Sequence, residues 1–431
     1  MIALTNSLAD AFGAARSGTG LDTAGDSTAP AHEVAASLQT LHVIASINQQ
    51  IGGPAVTVPR LASALSATGV GCVVASLDDK RFGPVLQPPG VTLFNPPADG
   101  MARRLRGYSP AFRRALMARA KTGVDVVHNH GAWMLPNLYA RQSALSAQVP
   151  LVISPRGMLE SWSLARSRAK KMLAWRLYER RNFDSAALFH ATSQAEADSI
   201  RALGLRQPIA MISNGVDLPE PGSVPPRDVL EHKFPRLAGR RWLLFLSRLH
   251  PKKGVDELLQ AWVTLAVRFP DWQLVIAGPD LDGHGAALRS EAAARGLGDR
   301  VVFTGMLAGR EKACALAGAD LFVLPTRSEN FGVVVAESLA YGVPVVTTRA
   351  APWSELLSHE CGWWIEADPG ALGNALGVAM ALPAFQLAEM GRRGRALVES
   401  RYAWARIGAE MKSVYLWLCR QGDQPACVQT P

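Results

Sequence analysis

Cysteine is sparse. The chain has five, Cys72, Cys314, Cys361, Cys419 and Cys427, an odd and scattered set with no CxxC pair and no Cys/His cluster. That excludes a disulfide framework and a zinc site, and it fits a reducing cytoplasm. Long apolar runs are missing as well: none approaches the ~20 residues of a membrane-spanning helix, and the N-terminus has neither the basic nor the apolar region of a signal peptide. The expectation is a cytoplasmic protein whose contact with a membrane is peripheral, on the inner face of the plasma membrane. Aromatics make up 7% and charged residues 19% against 48% apolar, which excludes wholesale disorder and coiled coil. Acid is the deficient charge, with 36 Asp and Glu against 45 Lys and Arg and a net +9. Such a balance favours phosphorylated ligands, nucleic acid or acidic lipid, but no RNA- or DNA-binding module is recognisable, so nucleic acid is not expected.

With 431 residues the chain exceeds what one core supports, and two domains are expected. Residues 1–37 are rich in Ala, Gly, Ser and Thr without a period and read as a disordered leader. Short, continuous apolar runs then alternate with helical stretches: 42–47, 71–76, 91–94, 124–128, 151–154, 188–192 and 209–212. Runs that do not alternate are strands buried on both faces, hence a parallel sheet between helices. The stretch 218–235, with Pro219, Pro221, Gly222, Pro225, Pro226 and Pro235, is a linker by composition. Beyond it the alternation restarts at 242–247, 273–277, 301–304, 321–324 and 343–347, with helices over 255–268 and 286–295. The expected class is α/β, two Rossmann-like, doubly wound domains facing a central cleft. The boundaries are 38–222, a linker 223–238, 239–400, a C-terminal helix 401–420 crossing back to the first domain, and a tail 421–431. Ligands of such sheets bind outside the carboxyl ends of the strands, here in the cleft.

Candidate chemistry sits at those strand ends. Gly52-Gly53 follow the first strand and precede a helix, a place where backbone can approach an anion, although a plain turn gives the same letters. After the first strand of the second half come Arg248, Lys253 and Gly254. Two cations beside a helix start suit a diphosphate that gains charge as a leaving group; a solvated basic turn is the alternative. Glu329-Asn330-Phe331-Gly332-Val333 opens another helix, with Glu337 eight residues beyond Glu329. One carboxylate could grip sugar hydroxyls and the other ribose hydroxyls, unless Glu329 is a cap-region charge and Glu337 part of a solvated face. Arg156 follows the strand 151–154. His128 and His130 should point the same way, two apart on a strand. Asp280-Leu281-Asp282 has a spacing that could ligate a metal, and Asp78-Asp79 reads as a solvated loop pair. Residues 101–123 hold seven basic residues and no acid, save Asp125 beyond them, interleaved with Met101, Leu105, Tyr108, Phe112, Leu116 and Met117; this reads as a lipid-surface face or a solvated helix. The run 156–181 is basic as well.

The pattern S-R-L-x-x-x-K-G over 247–254, E-N-F-G-x-x-x-x-E over 329–337 and A-x-G-V-P-V-V over 340–346 resembles the family-four retaining glycosyltransferases of GT-B architecture. Gly52-Gly53, the H-x-H-G of 128–131, the N-G-V-D of 214–217 and the F-x-G of 303–305 extend the match over most of the chain. The resemblance implies that Arg248 and Lys253 neutralise a donor diphosphate, that Asn330, Phe331, Gly332 and Val333 offer amides to phosphate and sugar, and that Glu337 holds ribose and Glu329 the transferred sugar. It further implies Gly53 at the diphosphate, His130 at the donor sugar, Met306 near the base and Arg156 at an acceptor phosphate, with no metal and no cofactor. Asp280 then belongs to a Gly/Asp loop of the family.

The function expected is retaining transfer of a hexose from a nucleotide diphosphate sugar to an acceptor hydroxyl. The basic first domain favours a lipid-diphosphate-linked saccharide used in making surface polysaccharide. A nucleotide-sugar epimerase of the same architecture, or a non-catalytic nucleotide-sugar binder, are the alternatives. Acid/base groups that an epimerase needs are not identifiable, and the intact Arg248, Lys253, Glu329 and Glu337 argue against a decayed site.

Overall fold

The computed structural model describes residues 37–430 except Leu86, Arg166, Pro221 and Asp282; the expected leader, but for Ser37, lies outside the described residues. The first half is built on β1 (Gln39–Ile44), β2 (Gly71–Ala75), β3 (Thr92–Phe94), β4 (Val126–His130), β5 (Leu151–Ser154), β6 (Leu188–Ala191) and β7 (Ile209–Met211). The second half holds β8 (Arg241–Leu246), β9 (Trp272–Ala277), β10 (Val301–Gly305), β11 (Leu321–Leu324), β12 (Val345–Thr348) and β13 (Gly362–Ile365). A last strand, β14 (Val428–Gln429), follows near the end of the chain. The first sheet runs β14-β7-β6-β5-β4-β1-β2-β3 and the second β10-β9-β8-β11-β12-β13. Every pairing is parallel except β14 with β7. Strands such as β9 and β11 are buried at every residue, as continuous apolar runs covered on both faces require. The result is two facing doubly wound sheets, the GT-B architecture.

Alternation along each strand sorts side chains to two faces. In the first half Leu41, Val43, Val127, Ile153 and Phe189 enter one core, while Ile44, Val126, Val152 and Leu188 enter the other. The second face is covered by the helix Gly53–Ser66 and by Ile407, Met411, Val414 and Tyr415 of the helix Trp404–Leu418. That helix belongs to the C-terminal end of the chain, which passes back at a bridge between Val216 and Ala403. Gly408 makes its contact possible: a Cβ there would lie 2.7 Å from the Ala64 carbonyl oxygen.

Several expectations change in detail. The stretch 421–431 is more than a tail, since β14 extends the first sheet by one antiparallel strand. The linker read over 223–238 is exposed only in part. Leu230 and Leu237 are fully buried in the second core, where the Leu237 carbonyl accepts from Trp242 Nε1 at 3.0 Å; prolines signal the break but not the two leucines that dock after it. Strand β4 ends at His130 rather than His128, because Asn129 and His130 are held by buried hydrogen bonds instead of apolar packing. Asp79 is buried, not solvated: it chelates Arg81 and its backbone N–H donates to Asn48 Oδ1, while the Asp78 carboxylate accepts from Asn48 Nδ2, so the pair ties down the loop of Asn48. Within the basic segment, Phe112 and Leu116 are core residues of the first half, which leaves Met101, Leu105 and Tyr108 as its exposed large apolar groups.

Candidate active site

Strand β8 ends at Leu246, and a single 3₁₀ turn, Pro251–Lys253, carries the chain into the helix Val255–Arg268. Gly254 makes that turn possible. Its φ is 73°, and a Cβ there would stand 2.0 Å from the Pro325 carbonyl oxygen, so only glycine fits. The chain after β11 locks onto the same turn, with Arg327 N–H donating to the Lys252 carbonyl at 2.8 Å. The two strand ends are therefore one unit, and they bring Lys253 into an ion pair with Glu329. Gly332, at φ 78°, starts the helix Val333–Ala340, on which Glu337 takes a 2.7 Å ion pair from Lys312 of the helix Gly309–Gly318.

Between the halves lies a cavity of about 670 Å³. Arg248, Lys253, Met306, Glu329, Asn330, Phe331, Gly332, Val333 and Glu337 line it from the second half, and Gly53 and Arg156 from the first. Each candidate except His130 thus meets in one space. Two helices, Gly53–Ser66 and Val333–Ala340, begin at it with no acidic residue in their first turns, so their positive ends face it. A Cβ on Gly52 or Gly53 would meet nothing within 4 Å, so the backbone there borders open space. The cleft is closed at one side by Asn330 Nδ2 on Thr192 Oγ1 at 2.9 Å and Ser328 Oγ on Glu160 Oε2 at 2.7 Å. Burial raises the Glu160 carboxyl above its ordinary range and lowers the Lys252 ammonium. Asp280 does not line the cavity, and Asp282 lies outside the described residues.

His130 stands behind the wall rather than on it. Its Nδ1 accepts from Arg156 Nη2 at 3.2 Å, and its Nε2 is 3.0 Å from His42 Nδ1. His128 points the same way, its ring centroid 4.0 Å from that of His130. Burial, followed by neighbouring charge, keeps both imidazoles well below their ordinary pKa, and holds His42 and His190 at about 3. The ligand atoms of His42, His128 and His130 all lie within 4.8 Å of one another. Their fit to a metal ion is poor, because Arg156, Tyr415 and Ser154 already occupy ring nitrogens and a guanidinium would face the ion. Sequence reasoning missed Lys312, Glu160, Asn214, His42 and His190. Asn214 and Glu160 lie inside stretches that stand out by motif, whereas nothing local marks Lys312, His42 or His190.

A model described as glycosyl transferase 4-like domain matches residues 52–215, and one described as glycosyl transferases group 1 matches residues 240–381. The chain belongs to this glycosyltransferase family. It is 25% identical over 378 residues to a GDP-mannose:cellobiosyl-diphosphopolyprenol alpha-mannosyltransferase of Xanthomonas oryzae pv. oryzae, a match covering 86% of this chain and 94% of that one. A GDP-mannose-dependent alpha-(1-6)-phosphatidylinositol monomannoside mannosyltransferase of Mycolicibacterium smegmatis is 34% identical over 186 residues, 41% of this chain and 47% of that one. Among solved structures, a sucrose-phosphate synthase from Thermosynechococcus elongatus shares the fold with a TM-score of 0.70 at 21% identity, over 89% of this chain and 99% of that one.

Proposed function

We propose that the protein is a retaining, metal-independent hexosyltransferase that moves mannose from GDP-mannose to a hydroxyl of a lipid-diphosphate-linked saccharide in surface polysaccharide synthesis. The observation that carries this reading is the meeting of Arg248, Lys253 and the start of the helix Val333–Ala340 in the cavity that Glu337 also lines. Positive charge is gathered where a diphosphate would leave, and a carboxylate stands where ribose would lie. The charge a divalent ion would bring is thus supplied by side chains and amides. In the step itself the acceptor oxygen bonds to the anomeric carbon on the face the diphosphate departs from. The bond from that carbon to the diphosphate oxygen breaks, and the acceptor proton passes to the leaving diphosphate. Arg248 and Lys253 stabilise the charge that develops, and Glu329 orients the sugar. The guanine and mannose of the donor follow the names of the two mannosyltransferases to which the chain is similar, and the lipid diphosphate of the acceptor follows that of the Xanthomonas enzyme alone.

Arg156, on the first-half wall, is the group for an acceptor phosphate. The membrane side is the surface around Trp133. Met101, Leu105 and Tyr108 are exposed there beside Arg103, Arg104 and Arg106, and Met172, Leu173 and Leu177 lie on the adjoining basic helix. Arg106 Nη1 on the Trp133 carbonyl and Lys171 Nζ at 5.6 Å from the Trp133 ring join the two segments. These exposed groups support a reading in which the enzyme works at the cytoplasmic face of a membrane. The test is a panel of nucleotide sugars assayed for nucleotide release with and without polyprenyl-diphosphate saccharides. Release from GDP-mannose that rises with the lipid acceptor is the expected result; indifference to every lipid acceptor would overturn the reading.

A further inference from the structure

Arg156 is 8% exposed, lines the cleft and is held by neutral groups. Nη1 donates to Asn214 Oδ1 at 2.7 Å, Nη2 donates to His130 Nδ1 at 3.2 Å, and the buried Nε has no partner. The carboxylate of Glu196 is engaged elsewhere, accepting from the backbone N–H groups of Gly157 and Thr192 and from Thr192 Oγ1. A buried guanidinium without a carboxylate is costly unless an anion completes it.

Geometry also fixes where the protons of its support sit. A guanidinium only donates, so His130 Nδ1 must accept, and the ring proton lies on Nε2. That proton is directed at His42 Nδ1, which must accept in turn, leaving the His42 proton on a buried Nε2 without a partner. A second chain is set by the Ile212 carbonyl, which accepts from His190 Nε2 at 2.8 Å. His190 Nδ1 therefore accepts from Ser154 Oγ at 2.7 Å, Ser154 accepts from His128 Nε2 at 2.8 Å, and His128 Nδ1 accepts from Tyr415 at 2.6 Å. All four imidazoles lie on one face of the sheet, where the register sets His42 beside His128 and His130 beside Ser154.

We propose that His130 and His42 are positioning residues, a neutral imidazole pair that fixes the Arg156 guanidinium in the cleft floor to receive a phosphate group of the acceptor. The proposal rests on the glycosyl-transfer reading and assigns His130 to Arg156 rather than to the donor sugar. A phosphate could come from the acceptor or the donor, and steady-state kinetics separates the two. His42→Ala should raise the acceptor KM about tenfold, the scale of a weakened charged hydrogen bond, and leave donor affinity and acceptor-independent donor hydrolysis within about twofold. His42→Asn, whose side-chain oxygen can accept where Nδ1 did, should restore the acceptor KM. In an Arg156→Ala background, His42→Ala should add nothing further. Equal loss of donor and acceptor affinity, or fully additive effects, would overturn the assignment. Long-range ¹H–¹⁵N spectra of histidine-labelled protein need no turnover: the expected signature is His130 protonated at Nε2, with an Nδ1 shift that moves in Arg156→Ala. A His130 protonated at Nδ1 would overturn the support, whereas a correct tautomer with no transfer to any lipid acceptor would overturn the functional reading alone.

Discussion

Lys312 Nζ lies 2.7 Å from Glu337 Oε1, on two helices of the second half that wall the cleft. The pairing holds the Glu337 carboxylate in one orientation before any ribose arrives. Glu337→Ala should weaken nucleotide diphosphate binding by about 10- to 100-fold, the loss of a charged hydrogen-bonding group, with a smaller change in kcat because ribose contacts are alike in ground and transition states. Lys312→Met should weaken binding by only a few fold. Calorimetric titration with GDP measures both, and an unchanged affinity for Glu337→Ala would remove that residue from the site.

Lys253 is ion-paired with Glu329. Lys253→Ala should lower kcat by ~10²–10³, as expected when one preorganised donor to a developing anion is lost. Near-normal turnover in a folded variant would remove Lys253 from the diphosphate.

Gly254 cannot take a side chain, given its φ of 73° and the Pro325 carbonyl. Gly254→Ala should cost at least ~1–2 kcal/mol from the left-handed backbone alone, plus whatever the clash adds. A fall in the thermal midpoint together with lost activity is expected, and a midpoint at the wild-type value would contradict the packing described.

Acid should destabilise the fold through the buried histidines. Burial first, and then the Arg156 charge, lowers His42 and His190 to about 3, and His128 and His130 also lie well below their ordinary value near 6.5. The unfolded chain therefore binds more protons than the native one below pH ~6.5, and stability is lost as pH falls from there toward 3. Each histidine contributes a slope of up to ~1.4 kcal/mol per pH unit in that window. Urea midpoints at pH 7.5, 6.5 and 5.5 measure it, and His42→Asn should flatten the profile by about one proton. A flat wild-type profile would show that the imidazoles titrate in place.

Replacing Arg103, Arg104 and Arg106 by Glu should release the protein from anionic liposomes; because Arg103 also pairs with Asp79 at 3.5 Å and Arg106 with the Trp133 carbonyl, the thermal midpoint is followed alongside. Surface attraction is worth ~1 kcal/mol per basic residue, so three reversals should abolish sedimentation with vesicles. Phe112→Ala should instead lower stability by ~3–5 kcal/mol, since its ring is in the core. Equal binding to neutral and anionic vesicles would refute the membrane surface.

Much of this molecule is legible in its letters. Both sheets follow from apolar run lengths, and the strand ends carry Arg248, Lys253, Glu329 and Glu337 within short motifs that survive as a pattern. Strand β14 is two residues long and pairs with a strand over 200 residues earlier, so no local periodicity announces it. Strand β13, Gly362–Ile365, is a Gly-Trp-Trp-Ile run only partly buried, which breaks the expectation of continuous aliphatic strands. The imidazole chains are harder still. Tyr415 and His128 are separated by 287 positions and His42 and His130 by 88. Only the sheet register and the returning helix bring them together. Phe112 and Leu116 mislead in the opposite sense: amphipathic spacing reads the same whether the apolar stripe meets lipid or a neighbouring helix.

The returning C-terminal helix makes the first half discontinuous in sequence. Its sheet, its histidine floor and its covering helix are completed only when residues 404–429 have come back past Val216. During synthesis the first half must therefore wait, with the apolar side of the helix Gly53–Ser66 uncovered, until the second half has been made. A nick in the exposed stretch near Gly222 would leave the two fragments still joined through the Val216–Ala403 crossing, whereas truncation before Trp404 would strip a wall from the first half. The enzyme is thus two sheets but one closed circuit of chain, and its first half is finished last.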